Sequence, residues 1–187
     1  MKKNLVLVIT TLLVMSGVQL FAQDFINGFK WSVYDDTANG GSSVINMNSA
    51  MEKIGGKEVH VVTLTGKVTT KYQYGFAGVA VDPDEATLQA LKIGKGISFK
   101  TIGDGKQYRV RIETSDITDY DYYGKVFYAP KDSKPKEVVV PYSSLTQEGW
   151  GAKKKFNPEN IVKISFQTVG QPISSFEFKI IDLKPMK

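Results

Sequence analysis

Arg109 and Arg111 stand two residues apart in the stretch GDGKQYRVRIET, and every other basic residue among the chain's 24 is a lysine. A guanidinium is a planar, permanently charged fork that holds a carboxylate, a phosphate or neighbouring hydroxyls through paired N–H donors, which a lysine ammonium does not do. Alternate side chains of an extended strand share a face, so Arg109, Arg111 and Glu113 stand together while Tyr108, Val110 and Ile112 face the other way. If the apolar trio turns to a core, the charged trio occupies an open face. Aromatic rings lie close by in sequence: Tyr120, Tyr122 and Tyr123 in TDYDYYGKVFY, and Tyr72 and Tyr74 in KYQYGF. The last two share one face by the same spacing and are placed to approach Arg109 across a sheet. Planar donors beside aromatic faces are what recognition of a pyranose requires. The plainer alternative is a set of cross-strand ion pairs among Arg109, Arg111 and Glu113, worth roughly 0.2–1 kcal/mol each.

Other candidates carry less chemistry. The loop YDDTANGG offers Asp35, Asp36 and Asn39, oxygen ligands of the kind calcium prefers, or equally an Asx-type turn in which Gly40 and Gly41 supply positive φ. His60 is the single histidine and there is no cysteine, which leaves no histidine-based metal site and no nucleophile–histidine pair. GDGKQY lacks the helix and the Lys-Ser/Thr ending of a phosphate loop and reads as a hairpin turn. Trp31 reads as core. Trp150, in TQEGWGAKK, reads either as an exposed sugar-stacking or partner-binding residue on its loop or as a plug beneath it, and the plug is favoured because tryptophan is highly buried on average. Asp104, Glu113, Asp119 and Asp121 lie near the proposed face, but nothing in the sequence pairs two of them as glycoside hydrolysis requires, so the expectation is a binding protein and not an enzyme.

The elements that must hold these residues are strands. Short alternating or β-branched runs bounded by Gly, Pro, Asn and Asp predict strands at 29–34, 42–47, 58–66, 74–81, 96–102, 107–114, 124–129, 136–141, 161–169 and 174–183. One helix is predicted in DPDEATLQALK, with Asp82 as N-cap, Pro83 at the first helical position and Glu85 closing a capping box. Ten strands and one short connecting helix make an all-β sandwich or barrel.

The first residues, MKKNLVLVITTLLVMSGVQLFA, have the basic start, apolar centre and small final residue of a cleaved secretory signal. The expected organisation is a signal peptide over 1–22 and one β-domain over 23–187, exported to the periplasm or the cell exterior, with no stable membrane insertion after cleavage. Removing the signal's two lysines leaves 22 basic against 19 acidic residues. The lysines are scattered except in GAKKKF, which argues against a nucleic-acid partner and for a solvated basic turn.

Several segments in order, WSVYDDTANGGSS, YGFAGVAV, GISFKTIGDGKQYRVRI, VVVPYSSLTQEGWG, FNPENIVKISFQT and FEFKIIDL, resemble the family 11 carbohydrate-binding modules and the related complex I intermediate-associated protein 30 family. The most specific pieces are the GGxS after an acidic pair, the GDG-x-x-Y-x-x-x-I strand and the P-Y-x-x-L-x-Q-x-x-W-G segment. The resemblance implies a single galactose-binding-like β-jelly-roll whose concave sheet takes a β-glucan or related poly- or oligosaccharide. It also implies a structural calcium between the early acidic loop and the last strand, with Asp36 and Asp182 as the pair. The alternative is a structural cell-envelope protein that binds other proteins, because flagellar filament sheath proteins resemble the same fold class. An assembly-factor role, implied by the complex I branch, conflicts with the export signal.

Overall fold

The computed structural model describes residues 25–131 and 134–187, so the signal peptide expected over 1–22 lies outside the described residues. Each run read as a strand is one: β1 (Phe29–Asp35), β2 (Val44–Ile54), β3 (Lys57–Val68), β4 (Ala77–Pro83), β5 (Gly96–Gly103), β6 (Gln107–Thr114), β7 (Tyr123–Tyr128), β8 (Lys136–Pro141), β9 (Ile161–Thr168) and β10 (Ile173–Met186). They form two five-stranded sheets, in the orders β1-β4-β9-β6-β7 and β2-β3-β10-β5-β8, with antiparallel pairing throughout. The result, among the described residues, is a β-sandwich with one α-helix, α1 (Glu85–Ile93).

The period-two pattern explains the layers. Trp31, Val79, Val81, Tyr108, Val110, Ile112, Ile164 and Phe166 turn inward from the first sheet and meet Leu64, Phe99, Phe178 and Ile180 from the second, all buried. Tyr108 stacks on Phe178 at 3.8 Å and Trp31 on Phe166 at 6.0 Å between ring centroids, while Phe99 meets Phe166 edge-on at 5.1 Å. Full burial of each such side chain contributes about 1.5–3 kcal/mol, which gives a chain without disulfides its cohesion. With that face spent on the core, the alternate residues of the first sheet are left outside.

Three local expectations are corrected. β2 runs on to Ile54, because a hairpin through Gly55 (φ 59°) and Gly56 (φ 84°) pairs it along its length with β3 and overrides the poor strand propensity of NSAMEK. The helix is capped by Asp84, whose side chain accepts from the Thr87 N–H, and not by Asp82. The reason is that β4 continues pairing with β1 as far as Pro83, opposite Phe29, and the Asp84 N–H is bound to Gly28. The turn GDGKQY is no hairpin: β5 and β6 lie in different sheets. There Asp104 accepts from the Lys106 N–H (3.1 Å), the Tyr108 hydroxyl (2.9 Å) and the Glu177 N–H (3.2 Å), and so ties the crossing to both sheets.

Candidate functional site

The outer face of the first sheet is arranged in rows fixed by strand register. One row holds Tyr34, Gly78, Gln167, Arg109 and Val126, and the next holds Ser32, Ala80, Ser165, Arg111 and Gly124. Glu113 lies opposite Lys163, which is itself 3.9 Å from Asp82. Small residues in these rows let large ones lie flat. A Cβ on Gly78 would sit 2.5 Å from the Tyr34 ring, and one on Gly124 would sit 3.1 Å from Arg109 Cδ. Tyr34 therefore crosses β4 over Gly78 and donates its hydroxyl to Gln167 Oε1 on β9 at 3.1 Å. Arg111 donates to the same oxygen at 2.7 Å. Burial pushes the Tyr34 hydroxyl up to about 12, against the opposing pull of the Arg111 charge, so it remains a donor at neutral pH.

The arginines find their carboxylate on a loop and not on the sheet. Glu148 Oε1 accepts from Arg111 NH2 at 2.8 Å and is in contact with Arg109 NH1. Burial works to raise the Glu148 carboxyl, but the hydrogen bonds and charges of the two arginines hold it below the ordinary carboxylate range. The loop is fixed from beneath by Asp121, buried to 1% exposure. Its carboxylate accepts from the backbone N–H groups of Glu148 (2.8 Å), Gly149 (3.0 Å) and Gly151 (3.0 Å). Asp119 takes the Ala152 N–H at 2.6 Å, which together with the Asp121 N–H lowers its own carboxyl. Thr146 pairs in both directions with Gly124 on β7, and the Gln147 amide donates to the carbonyls of Asp121 and Ala152. The chain Tyr34, Gln167, Arg111, Glu148, Arg109 thus spans the sheet as one polar platform, with a cavity of about 190 Å³ beside Arg109, Ser144, Thr146 and Glu148.

Aromatic rings edge the platform. Tyr34 packs near Phe76 (6.0 Å), Phe76 near Tyr72 (6.4 Å) and Tyr72 against Tyr74 (5.8 Å). The loop carrying the last three is pinned by Gln171, which accepts from the Gly75 N–H at 2.6 Å and donates to the Gln73 carbonyl. Tyr120 meets Tyr122 edge-on at 6.3 Å, and burial raises the Tyr122 hydroxyl, with the Glu113 charge adding to the effect. Tyr74, Tyr120 and Trp150 are 67, 71 and 59% exposed.

The residues singled out from sequence divide accordingly. Arg109, Arg111 and Glu113 share the open face, and Tyr122 borders it; Tyr72 and Tyr74 meet on a loop before β4, not on a strand. Tyr123 is buried against Phe156, because alternation along β7 turns it to the opposite face from Gly124. Trp150 is no plug: the N–H groups on either side of it are spent on Asp121 and the indole is left outside. Arg109 and Arg111 pair with Glu148 in place of Glu113. Gln167, Tyr34 and Glu148 were missed, although the odd-numbered pattern of KISFQT, with polar Lys163, Ser165 and Gln167, marks β9 as having a polar face; Asp121 was placed near the face, but not as the anchor of the loop.

The proposed calcium pair does not converge. Asp36 is fully buried and its carboxylate is taken by the Ser43 N–H (2.9 Å) and hydroxyl (2.7 Å). Asp182 sits in an irregularity of β10 at the other end of the second sheet, bound to Lys184 at 3.1 Å. Among the described residues no group of three or more His, Cys, Asp or Glu is placed to hold a metal ion, and no helix is long and apolar enough to cross a membrane.

Fold and platform together define a two-sheet antiparallel β-sandwich of the jelly-roll type with a polar, aromatic-edged outer face. The chain belongs to the complex I intermediate-associated protein 30 family, whose model matches residues 21–180. It is similar to endoglucanase 3 of Fibrobacter succinogenes, at 31% identity over 154 residues; the match covers 76% of this chain and 22% of that enzyme's length. Among solved structures it is similar to a family 11 carbohydrate-binding module from Clostridium thermocellum, in complex with a β-1,3-1,4-mixed-linked tetrasaccharide. That likeness has a TM-score of 0.60 at 17% identity and covers 87% of this chain and 91% of the module. The family 11 module of the cellulosomal cellulase Lic26A-Cel5E from the same organism gives 0.55 at 16% identity, covering 83% and 86%. These two likenesses establish a shared fold.

Proposed function

We propose that this protein is a non-catalytic carbohydrate-binding domain that takes a β-glucan or related glycan chain along the outer face of its first sheet, and that it is exported to the periplasm or the cell exterior behind a signal peptide over residues 1–22. The observation that carries the reading is the platform itself. Planar groups lie flat across the sheet, their donors and acceptors are fixed by one another, and exposed rings stand at its edges. A polysaccharide presents hydroxyls along its rim and apolar faces to its rings, and tyrosine and tryptophan meet such a surface with an apolar body, a polar tip and few rotors to immobilise. The mixed-linkage oligosaccharide bound by the similar module, and the likeness to part of an endoglucanase, support the same ligand class.

Binding is favoured over hydrolysis because three of the carboxylates near this face are engaged in holding structure, which leaves Glu113 without a second free carboxylate to form the pair that glycoside hydrolysis requires. Asp119 and Asp121 bind backbone N–H groups, and Glu148 is shared by two arginines. The test is affinity electrophoresis of the protein in gels containing mixed-linkage β-glucan, xyloglucan or mannan. Retardation by one of them is expected, and Tyr74→Ala, Tyr120→Ala and Trp150→Ala should each weaken it by about tenfold or less, equivalent to 1.4 kcal/mol. Because these rings are more than half exposed, the melting temperature should not move. Migration unaffected by every polymer would refute the reading.

A further inference from the structure

Two guanidiniums on alternate residues of one strand make a ready site for an anion, since each fork matches a carboxylate or sulfate. In this protein that site is filled from within. One oxygen of Glu148 serves both arginines, and the three side chains are only partly open, at 20% exposure for Arg109, 14% for Arg111 and 33% for Glu148. The carboxylate is not a wandering surface group. Its own N–H and those of Gly149 and Gly151 are bound to buried Asp121, and Thr146 is paired to β7 on the other side. Moving the carboxylate away would leave two partly buried cations uncompensated or would open the loop. Of the other cations nearby, Lys163 is set 3.9 Å from an acid, Asp82, whereas Lys125, which lines the same cavity, is held by Ser144 Oγ and the Val139 carbonyl and by no carboxylate among the described residues.

We propose that Glu148 is a specificity-determining residue: by occupying the Arg109–Arg111 pair it directs the face toward uncharged polysaccharides and turns away chains that carry carboxylate or sulfate groups. The inference rests on the glycan-binding reading above and narrows its ligand class. A uronate or sulfate ester approaching the arginines meets a like charge already seated there, and like charges brought together across an interface weaken binding strongly. A hydroxyl meets no such repulsion. It can use the guanidinium N–H groups that Glu148 leaves free, as well as the second carboxylate oxygen as an acceptor.

The experiment compares the wild-type protein with Glu148→Gln, which keeps the shape and one acceptor oxygen but removes the charge. Both are run in gels containing mixed-linkage β-glucan or polygalacturonate, over a salt series. The wild type should be retarded by the neutral polymer and not by polygalacturonate. Glu148→Gln should bind polygalacturonate at least about tenfold more tightly than the wild type, with an affinity that falls as salt rises, and its preference for polygalacturonate over the neutral polymer should rise by at least the same factor. Glu159→Gln makes the same change of net charge away from the platform and should show no gain. Glu148→Asp draws the carboxylate back from the arginines and should gain in the same direction, which covers the case in which the glutamine variant does not fold. The inference is overturned if correctly folded Glu148→Gln gains nothing on polygalacturonate, if Glu159→Gln gains as much, or if the wild type already binds polygalacturonate. Failure of the wild type on every neutral polymer would count against glycan binding itself. That result is read from the wild-type lanes alone, separately from the difference between the variants.

Discussion

Asp121→Asn tests whether one buried carboxylate holds the loop that completes the platform. Asp121 presents two oxygens to three backbone N–H groups at 2.8–3.0 Å and is 1% exposed. Asparagine keeps one oxygen, placed to retain the Glu148 N–H, and turns an NH₂ toward the donors of Gly149 and Gly151. Hydrogen bonds to a charged acceptor contribute about 1.5–3 kcal/mol each. Two are lost, but Gly149 is exposed and can recruit water, so the lower end of the sum, about 3 kcal/mol, is the expected cost. At this chain length about 1 kcal/mol moves the melting temperature by ~2–4 °C, which predicts a fall of ~6–12 °C in differential scanning calorimetry. Glycan retention measured below the transition should weaken as well, because Glu148 no longer has a fixed base from which to orient Arg109 and Arg111. A melting temperature within about 2 °C of the wild type, together with unchanged retention, would mean that Thr146 and Gln147 hold the loop without Asp121 and would refute this account of the site.

Gly78→Ala should destabilise by about 1–3 kcal/mol in a denaturant titration, since its Cβ would fall 2.5 Å from the Tyr34 ring and 2.6 Å from the Phe166 carbonyl oxygen, and it should displace Tyr34 from Gln167. Tyr34→Phe removes one hydrogen bond, at a cost of about 1 kcal/mol, and in an ultraviolet titration should delete a phenol that ionises near 12. His60 is buried beside Trp31, its Nε2 is 2.8 Å from Ser49 Oγ, and burial lowers its pKa below 6.5. The unfolded chain therefore takes up a proton first, so the stability due to His60 is complete above pH ~6.5 and is lost progressively as the pH falls from there toward the folded value. Urea midpoints at pH ~7.5 and ~5.5 should differ in the wild type and differ less in His60→Gln. The lowered carboxylates Asp84, Asp104, Asp119 and Glu148 contribute their stability throughout that window and lose it only at more acid pH.

What was legible in the sequence was whatever depends on neighbours in the chain. Side-chain alternation follows from local backbone sterics, so the ten strands, the inward trio Tyr108, Val110 and Ile112 and the outward trio Arg109, Arg111 and Glu113 could be read from residue types two apart. The resemblance in ordered motifs extended this to the sandwich and the family. Where local chemistry allowed two answers, the reading erred: NSAMEK has no strand preference until β3 lies beside it, and GDGKQY serves a crossing between sheets as well as it would a hairpin.

The partners of the site were decided only by tertiary structure. Glu148 lies 37 residues from Arg111, Gln167 lies 56 from it, and Tyr34 lies 133 from Gln167. No periodicity links such positions; strand order and register bring them together. The same holds for Trp150, which is left outside because Asp121 takes the N–H groups on both sides of it, and for Asp36 and Asp182, which the second sheet holds apart. A strand's faces are set by sterics within a few residues, whereas the residue that meets a charge across a sheet is chosen by the whole core, whose packing selects one register among many.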